Sequence, residues 1–283
     1  MIAILGGLGA AAAWAVSTLC SSRSSRLIEP LSVVAWVMLI GLVIAAPPAA
    51  IQGVPAALHG STLLWFALAG IGNVAGLVLS YYALRIGRVT LVTPLVSTEG
   101  AIAAVIAILA GEALAPGVAA TLALIAVGIC LASLPAPDLA AEEAARHPVA
   151  VALAAGAALT FGASLYATGR AGAHLPASWV VLSARLVGVL ALTLPLALRG
   201  RLRLTRRAAK LVLASGVAEV VGFYSYTLGS RHGIAVAAVL SSQFGALSLL
   251  GALVLFRERL TRIQLVGVGA VVVGVAVLSG LRA

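Results

Sequence analysis

Charge is what this chain most lacks: Asp, Glu, Lys and Arg together make up 9% of its 283 residues, against 62% hydrophobic. So little polar surface cannot cover a water-soluble core, which excludes an ordinary cytosolic or secreted globular domain. Cysteine is nearly absent. Cys20 and Cys130 are too few and too far apart for a disulfide framework or a metal site, and read as packing residues. The four histidines, His59, His147, His174 and His232, fall between apolar runs or at their ends. They form no His-Glu-x-x-His pattern or His/Cys cluster, so no metal is expected. A nucleotide-binding loop of the Gly-x-x-x-x-Gly-Lys-Ser/Thr type is also missing, and the apolar runs leave no room for an ATPase domain. No cofactor is implied. Aromatic residues are scarce at 5%, so the place of each carries weight.

What is present is a succession of apolar runs of helix-crossing length, punctuated by polar and turn-forming residues. They predict an all-α integral membrane protein with ten transmembrane helices over 2–20, 31–51, 61–84, 89–110, 115–134, 148–169, 177–198, 208–230, 233–256 and 260–280. The runs are continuous rather than alternating, which argues against a transmembrane barrel. Ile2–Val16 lacks the basic leader of a signal peptide and is read as the first span.

The second half repeats the first at an offset of 146 or 147 residues. Leu109-Ala-Gly-Glu112-Ala-Leu114 lines up with Leu255-Phe-Arg-Glu258-Arg-Leu260, Arg85 and Gly87 with Arg231 and Gly233, and Gly9, Ser17 and Arg23 with Gly156, Ser164 and Arg170. Five spans per copy turn the second copy upside down, giving two inverted five-helix repeats: 1–134, a polar linker 135–148, and 149–283. Inverted repeats are a transporter design, with the binding site at their interface near the bilayer midplane.

The net charge of +10 invites a nucleic-acid reading, but the basic residues sit in short loops between spans and no nucleic-acid partner is expected. Fourteen of the eighteen lie after spans 1, 3, 5, 7 and 9, six of them in the 199–210 loop. The positive-inside rule puts that face, with loop 199–210, in the cytoplasm and both termini outside.

Several short features together carry a resemblance: Trp14-Ala15-x-Ser17 in the first span, Pro94 inside the fourth, the Gly111-Glu112-x-Leu114 corner and its echo Arg257-Glu258-Arg259-Leu260, and the glycine-bearing helices that follow. With ten spans in a 5+5 arrangement, the whole chain resembles the EamA-type transporters of the drug/metabolite transporter superfamily. The resemblance implies a basket of ten helices working by alternating access in the cell membrane, most often as an exporter of small metabolites. Many members look like proteins with cytoplasmic termini and basic charge after span 2. This chain has its basic cluster after span 7, which implies the inverse orientation.

Three ionisable side chains lie near the middle of apolar spans: Glu99, Arg185 and Glu219. Each costs roughly 2.5–3.5 kcal/mol at the bilayer centre on insertion scales, so each should face a cavity or a partner. Glu99 and Glu219 are the candidates for taking up and releasing a proton. Glu219 has a second reading, as the fixed counter-ion of Arg185, which would leave Glu99 as the free carboxylate. A free Arg185 would instead hold the carboxylate of an anionic or zwitterionic substrate. The repeat matches Asn73 with Glu219, Ser97 with Gln243, Gly245 with Glu99 and Leu39 with Arg185, so Asn73, Ser97 and Gln243 join the substrate-binding candidates. Pro94, five residues before Glu99, frees a backbone carbonyl and is the candidate hinge. Trp14, Phe161, Tyr224 and Phe244 are candidates to touch an apolar part of the substrate, Tyr226 also lies within a span, and Tyr81, Tyr82 and Trp179 read as interfacial anchors. Glu112 and Glu258, at helix ends, read as caps or as partners of nearby Arg rather than as substrate ligands. Gly72-x-x-x-Gly76 predicts a close helix crossing.

The expected function is secondary active transport, with efflux of amino-acid-like or drug-like solutes coupled to protons or exchange. The expected partners are a small-molecule substrate and the lipid bilayer, with the protein a monomer or homodimer. A channel, or a carrier of lipid-linked or phosphorylated substrates, would need more basic residues than Arg185 facing the cavity. An enzyme is not expected, because Ser164, in Gly162-Ala-Ser164, has no His or Lys at matching depth to activate it.

Overall fold

The computed structural model describes residues 1–133, 147–248, 251 and 262–281, and every regular element among them is a helix. The helices are α1 (Ile2–Leu27), α2 (Pro30–Gln52), α3 (Gly60–Ile86), α4 (Val89–Val96), α5 (Glu99–Leu109), α6 (Pro116–Ser133), α7 (Pro148–Gly172), α8 (Ala177–Gly188), α9 (Leu194–Leu198), α10 (Arg206–Ser230), α11 (Ile234–Ser241) and α12 (Arg262–Leu281). Runs of Ala, Leu, Val and Gly become helices because a helix satisfies its backbone internally, as the hydrocarbon core demands. Leu5, Val43, Leu64, Ile71, Leu159 and Val221 stay exposed on the outside, where lipid chains would solvate them.

Seven segments are long and apolar enough to cross a membrane: α1, α2, α3, Leu91–Leu109, α7, Ala177–Leu198 and α10. The positions expected for spans 5, 9 and 10 hold shorter apolar helices, Pro116–Leu131, Ile234–Ser248 and Leu265–Leu278. Residues 134–146 of the expected linker and the corner containing Glu258 lie outside the described residues.

Helix ends follow local chemistry. Pro30 and Pro148 open α2 and α7, where a missing N–H costs nothing. The Thr205 hydroxyl accepts from the Ala208 amide at 3.3 Å and caps α10. Glu112 also caps, as expected: its carboxylate accepts from the Ala235 amide at 3.3 Å, closing the N-terminus of a helix in the other half. The chain reaches that position through Gly111, whose φ of 97° favours glycine.

The packing obeys the repeat. Helix α1 lies along α10, and their repeat mates α7 and α3 lie along each other. Three contacts recur across the offset. The Trp14 ring fills the space over Gly222, and Phe161 that over Gly76. Ser17 Oγ meets Ser215 Oγ at 2.9 Å, and Ser164 Oγ donates to the Ala69 carbonyl at 2.7 Å. Gly9 faces Ser225, and Gly156 faces Leu79. Gly72 joins Gly76 in bringing α3 against α7, at Thr160 and Ser164. Lipid offers no hydrophobic drive between helices, so such small-residue approaches supply much of the cohesion.

The segment containing Pro94 breaks at residues 97–98, between α4 and α5. Its repeat mate breaks at 242–243, with helix resuming at 244–248, although Leu240 stands where the first copy has Pro94. A proline is therefore not what requires the break. The two interruptions pack on one another: a Cβ on Gly245 would stand 2.7 Å from Ser97, and one on Gly100 would meet the Ala238 carbonyl. Between α8 and α9 the chain makes a π turn, Val189–Thr193, with the Leu194 amide bonded to Val189 O. Pro195 follows, and the wider turn accommodates the ring and the hydrogen bond it cannot make.

Candidate functional site

A narrow cavity lies between the two halves. Helix α1 gives it Trp14, Ser17, Thr18 and Ser21, and α3 gives Asn73, Leu77, Ser80 and Tyr81. Val96 and Glu99 come from the broken segment, Phe161, Ser164 and Leu165 from α7, Glu219 and Phe223 from α10, and Phe244 from the second break. Its volume is about 40 Å³, space for a few waters. An organic solute needs several times that volume, so the cavity must widen to take one.

The two carboxylates in the wall have different surroundings. Glu219 is 6% exposed; its Oε1 accepts from Ser17 Oγ at 3.5 Å, and its Oε2 stands 3.8 Å from Arg185 Nη2. Glu99, 4% exposed, opens α5 just past the break and has no hydrogen bond or ion pair among the described residues. Ser17 continues to Ser215, and Ser215 to the Tyr81 hydroxyl at 3.4 Å, so a chain of hydroxyls leads away from Glu219.

A family model, the EamA-like transporter family, matches residues 1–134 and again 148–280. The chain belongs to the EamA-like transporter family. The double match fits the inverted repeat, and a family of transporters puts the protein in a membrane as a multi-pass transporter. A solved crystal structure, 21% identical over 99% of this chain and 97% of its own, superposes with a TM-score of 0.75, which extends the likeness to the whole fold. No curated protein matches.

In this EamA-like fold the expected site residues divide. Glu99, Glu219, Asn73, Trp14, Phe161 and Phe244 line the cavity together. Arg185 does not. It is fully buried behind Glu219, with Nη1 3.6 Å from Met38 Sδ and the guanidinium 5.2 Å from the centre of the Phe223 ring. Glycines make the slot: a Cβ on Gly41 would press on the Arg185 stem at 2.6 Å, and Gly188 leaves space for Met38. Of the two readings of Arg185, the geometry matches the counter-ion and not the substrate clamp.

Ser97 and Gln243 sit in the packed breaks rather than in the cavity wall. Ser97 Oγ donates to the Pro94 carbonyl at 2.9 Å, Gln243 is 7% exposed, and Pro94 itself is not in the wall, which its segment reaches at Val96. Tyr224 is outside the cavity, half-buried, because its neighbour Phe223 takes the inward position. Tyr81 corrects the expectation of an interfacial anchor: it is 3% exposed and lines the cavity. Cys130, expected to pack, is exposed on the outer surface, and Cys20 is half-buried.

Sequence reasoning missed the hydroxyl wall of Ser17, Ser21, Ser80 and Tyr81. A signal was available in α1, where Ser17, Ser21 and Ser24 recur at helical spacing and all are buried. Ser164, the nearest thing to a nucleophile, donates to the Ala69 carbonyl.

Proposed function

We propose that this chain is a proton-coupled secondary transporter of small organic solutes, built as ten spans in two inverted units, 1–134 and 149–283, and working by alternating access. The observation that carries the reading is the narrow cavity between the halves with Glu99 in its wall, unpaired among the described residues. A carboxyl group in low dielectric favours its neutral form, and a free one can trade a proton for substrate as the cavity opens to either side. The broken segments at 97–98 and 242–243 support motion there, since interrupted helices at a repeat interface are where transporters bind and flex. Efflux across a cell membrane is taken from the likeness to the family's exporters, and the positive-inside count supports loop 199–210 as cytoplasmic.

The rival reading, a channel or a carrier of phosphorylated or lipid-linked substrates, loses support from the burial of Arg185, since no other cation lines the cavity among the described residues. In proteoliposomes, a pH gradient should drive saturable uptake or counterflow; large flux that does not saturate would overturn the carrier. For orientation, a cysteine placed at Arg201 in a chain lacking Cys20 and Cys130 should resist impermeant labelling from outside intact cells. Labelling there would reverse the assigned topology.

A further inference from the structure

The charge of the cargo is written in the cavity wall. Among the described lining residues there is no Lys, Arg or His, and the ionisable acids are Glu99 and Glu219. Arg185 and Ser17 answer Glu219, so the wall is left with the charge of one carboxylate, Glu99. A second observation is independent of the acids. Asn73 lines the cavity, is 1% exposed, and its Oδ1 has no hydrogen-bond partner among the described residues. An unanswered acceptor of this kind calls for a donor on the ligand.

Two acceptors in a wall that also holds Trp14, Phe161 and Phe244 complement an ammonium group that carries hydrocarbon. The carboxylate makes a charge-assisted hydrogen bond, the amide oxygen takes another N–H, and the rings attract the cation and cover its apolar part. An anion would meet a carboxylate and a bare acceptor with no cation in reach, which repels it. Resting on the transporter reading, we propose that the cavity binds organic amines in their cationic form, and that the amine and a proton occupy Glu99 in turn.

The exchange balances as one charge for one charge. The O–H bond of the neutral carboxyl breaks, its proton leaves to water on the side to which the cavity is open, and the ammonium takes its place; on the other side the order reverses. The other titratable groups around Glu99 are Glu219 on α10 with Arg185 of α8 behind it, Tyr81 on α3, and Tyr226 on α10, whose hydroxyl donates to the Leu165 carbonyl. Helices α1, α4, α7 and α11 bring no ionisable side chain to the cavity. Competition between amine and proton therefore falls on Glu99.

The test uses the purified full-length protein and three probes that share a phenyl ring: 2-phenylethylamine, L-phenylalanine and 3-phenylpropionate. Binding is read by quenching of tryptophan fluorescence, with Trp14 in the cavity wall. The amine should bind at least about tenfold tighter than the zwitterion, and the acid should not bind, a tenfold ratio being 1.4 kcal/mol. As pH falls, the Kd for the amine should rise, by about tenfold per pH unit at the limit of full competition. Glu99→Gln should weaken binding and remove that slope, while Glu99→Asp, which keeps the charge, should retain it.

Tighter binding of the acid or the zwitterion, a Kd for the amine that does not change with pH, or failure of all three probes to bind folded protein would each overturn the proposal. Counterflow in proteoliposomes separates the two readings. Saturable counterflow of phenylalanine without amine binding keeps the transporter and discards the amine. Amine binding that competes with protons but is never followed by flux keeps the amine and discards the transporter.

Discussion

The two halves of the molecule build the same contact and then fill the same position differently. Trp14 over Gly222 and Phe161 over Gly76 are one aromatic-on-glycine junction made twice. Yet Glu219 matches Asn73, Glu99 matches Gly245, and Arg185 matches Leu39. The backbone scaffold is close to symmetric, and its charge is not. Packing explains one of these breaks: Gly245 lies against Ser97 with the Thr93 carbonyl 3.1 Å from where a Cβ would stand, whereas Glu99 opens onto the cavity. A carboxylate has space in only one copy, so duplication supplied a scaffold and steric contact chose where chemistry fits.

The comparison can be broken most severely at Glu99. Glu99→Gln should reduce flux driven by a pH gradient to that of empty liposomes, while the protein remains monodisperse in detergent. Adding Gly245→Glu should not restore it, because the new side chain would have to displace Ser97. Recovery of flux in the double variant would mean the halves are interchangeable after all.

Next in size is the buried pair. Glu219→Gln strands the Arg185 charge and should destabilise the fold by roughly 3–5 kcal/mol, read by denaturant titration in detergent. Removing both charges, in Arg185→Met with Glu219→Gln, should recover stability to within about 1 kcal/mol of the parent, since a buried pair contributes little beyond a well-packed apolar replacement. If the double variant is as unstable as the single one, Glu219 serves stability by some route other than neutralising Arg185.

The shared junctions should respond alike. Gly222→Ala and Gly76→Ala each force an aromatic ring to move and should cost about 1–3 kcal/mol by thermal unfolding, with the larger cost at Gly222 beneath the indole. Ser17→Ala and Ser164→Ala should be milder, near 1 kcal/mol each, the net worth of a hydrogen bond. The two serines differ in one respect that flux would reveal: Ser17 touches Glu219 and Ser164 a backbone carbonyl, so only Ser17→Ala should shift the pH dependence of transport.

Much of the fold was legible because bilayer thickness turns composition into segments: an apolar run of about twenty residues has few uses other than crossing. At spans 5 and 10 the helices Pro116–Ser133 and Arg262–Leu281 run close to the expected bounds, and the end of span 9 falls outside the described residues. The chemistry was legible where charge is scarce, since an ionisable group at mid-span must find a cavity or a partner. That reasoning named Glu99, Asn73 and Glu219, which line the cavity, and it placed Tyr81 at the interface and Tyr224 in the cavity, whereas Tyr81 lines it and Tyr224 does not. Both differences turn on which face of the helix looks inward. Hydropathy reports depth along a helix and says little about which face turns inward when nearly every neighbour is apolar.

The sequence by itself determined the membrane class, the inverted repeat and the three positions where the repeat loses equivalence, because these depend on composition and spacing along one dimension. Only the tertiary structure decided that Arg185 is sealed behind Glu219 and that Glu99, unpaired among the described residues, shares a cavity wall with Asn73. The reason is physical: an ion pair needs two groups within about 4 Å, and that distance is fixed by how glycines let helices approach and turn, which no linear spacing records.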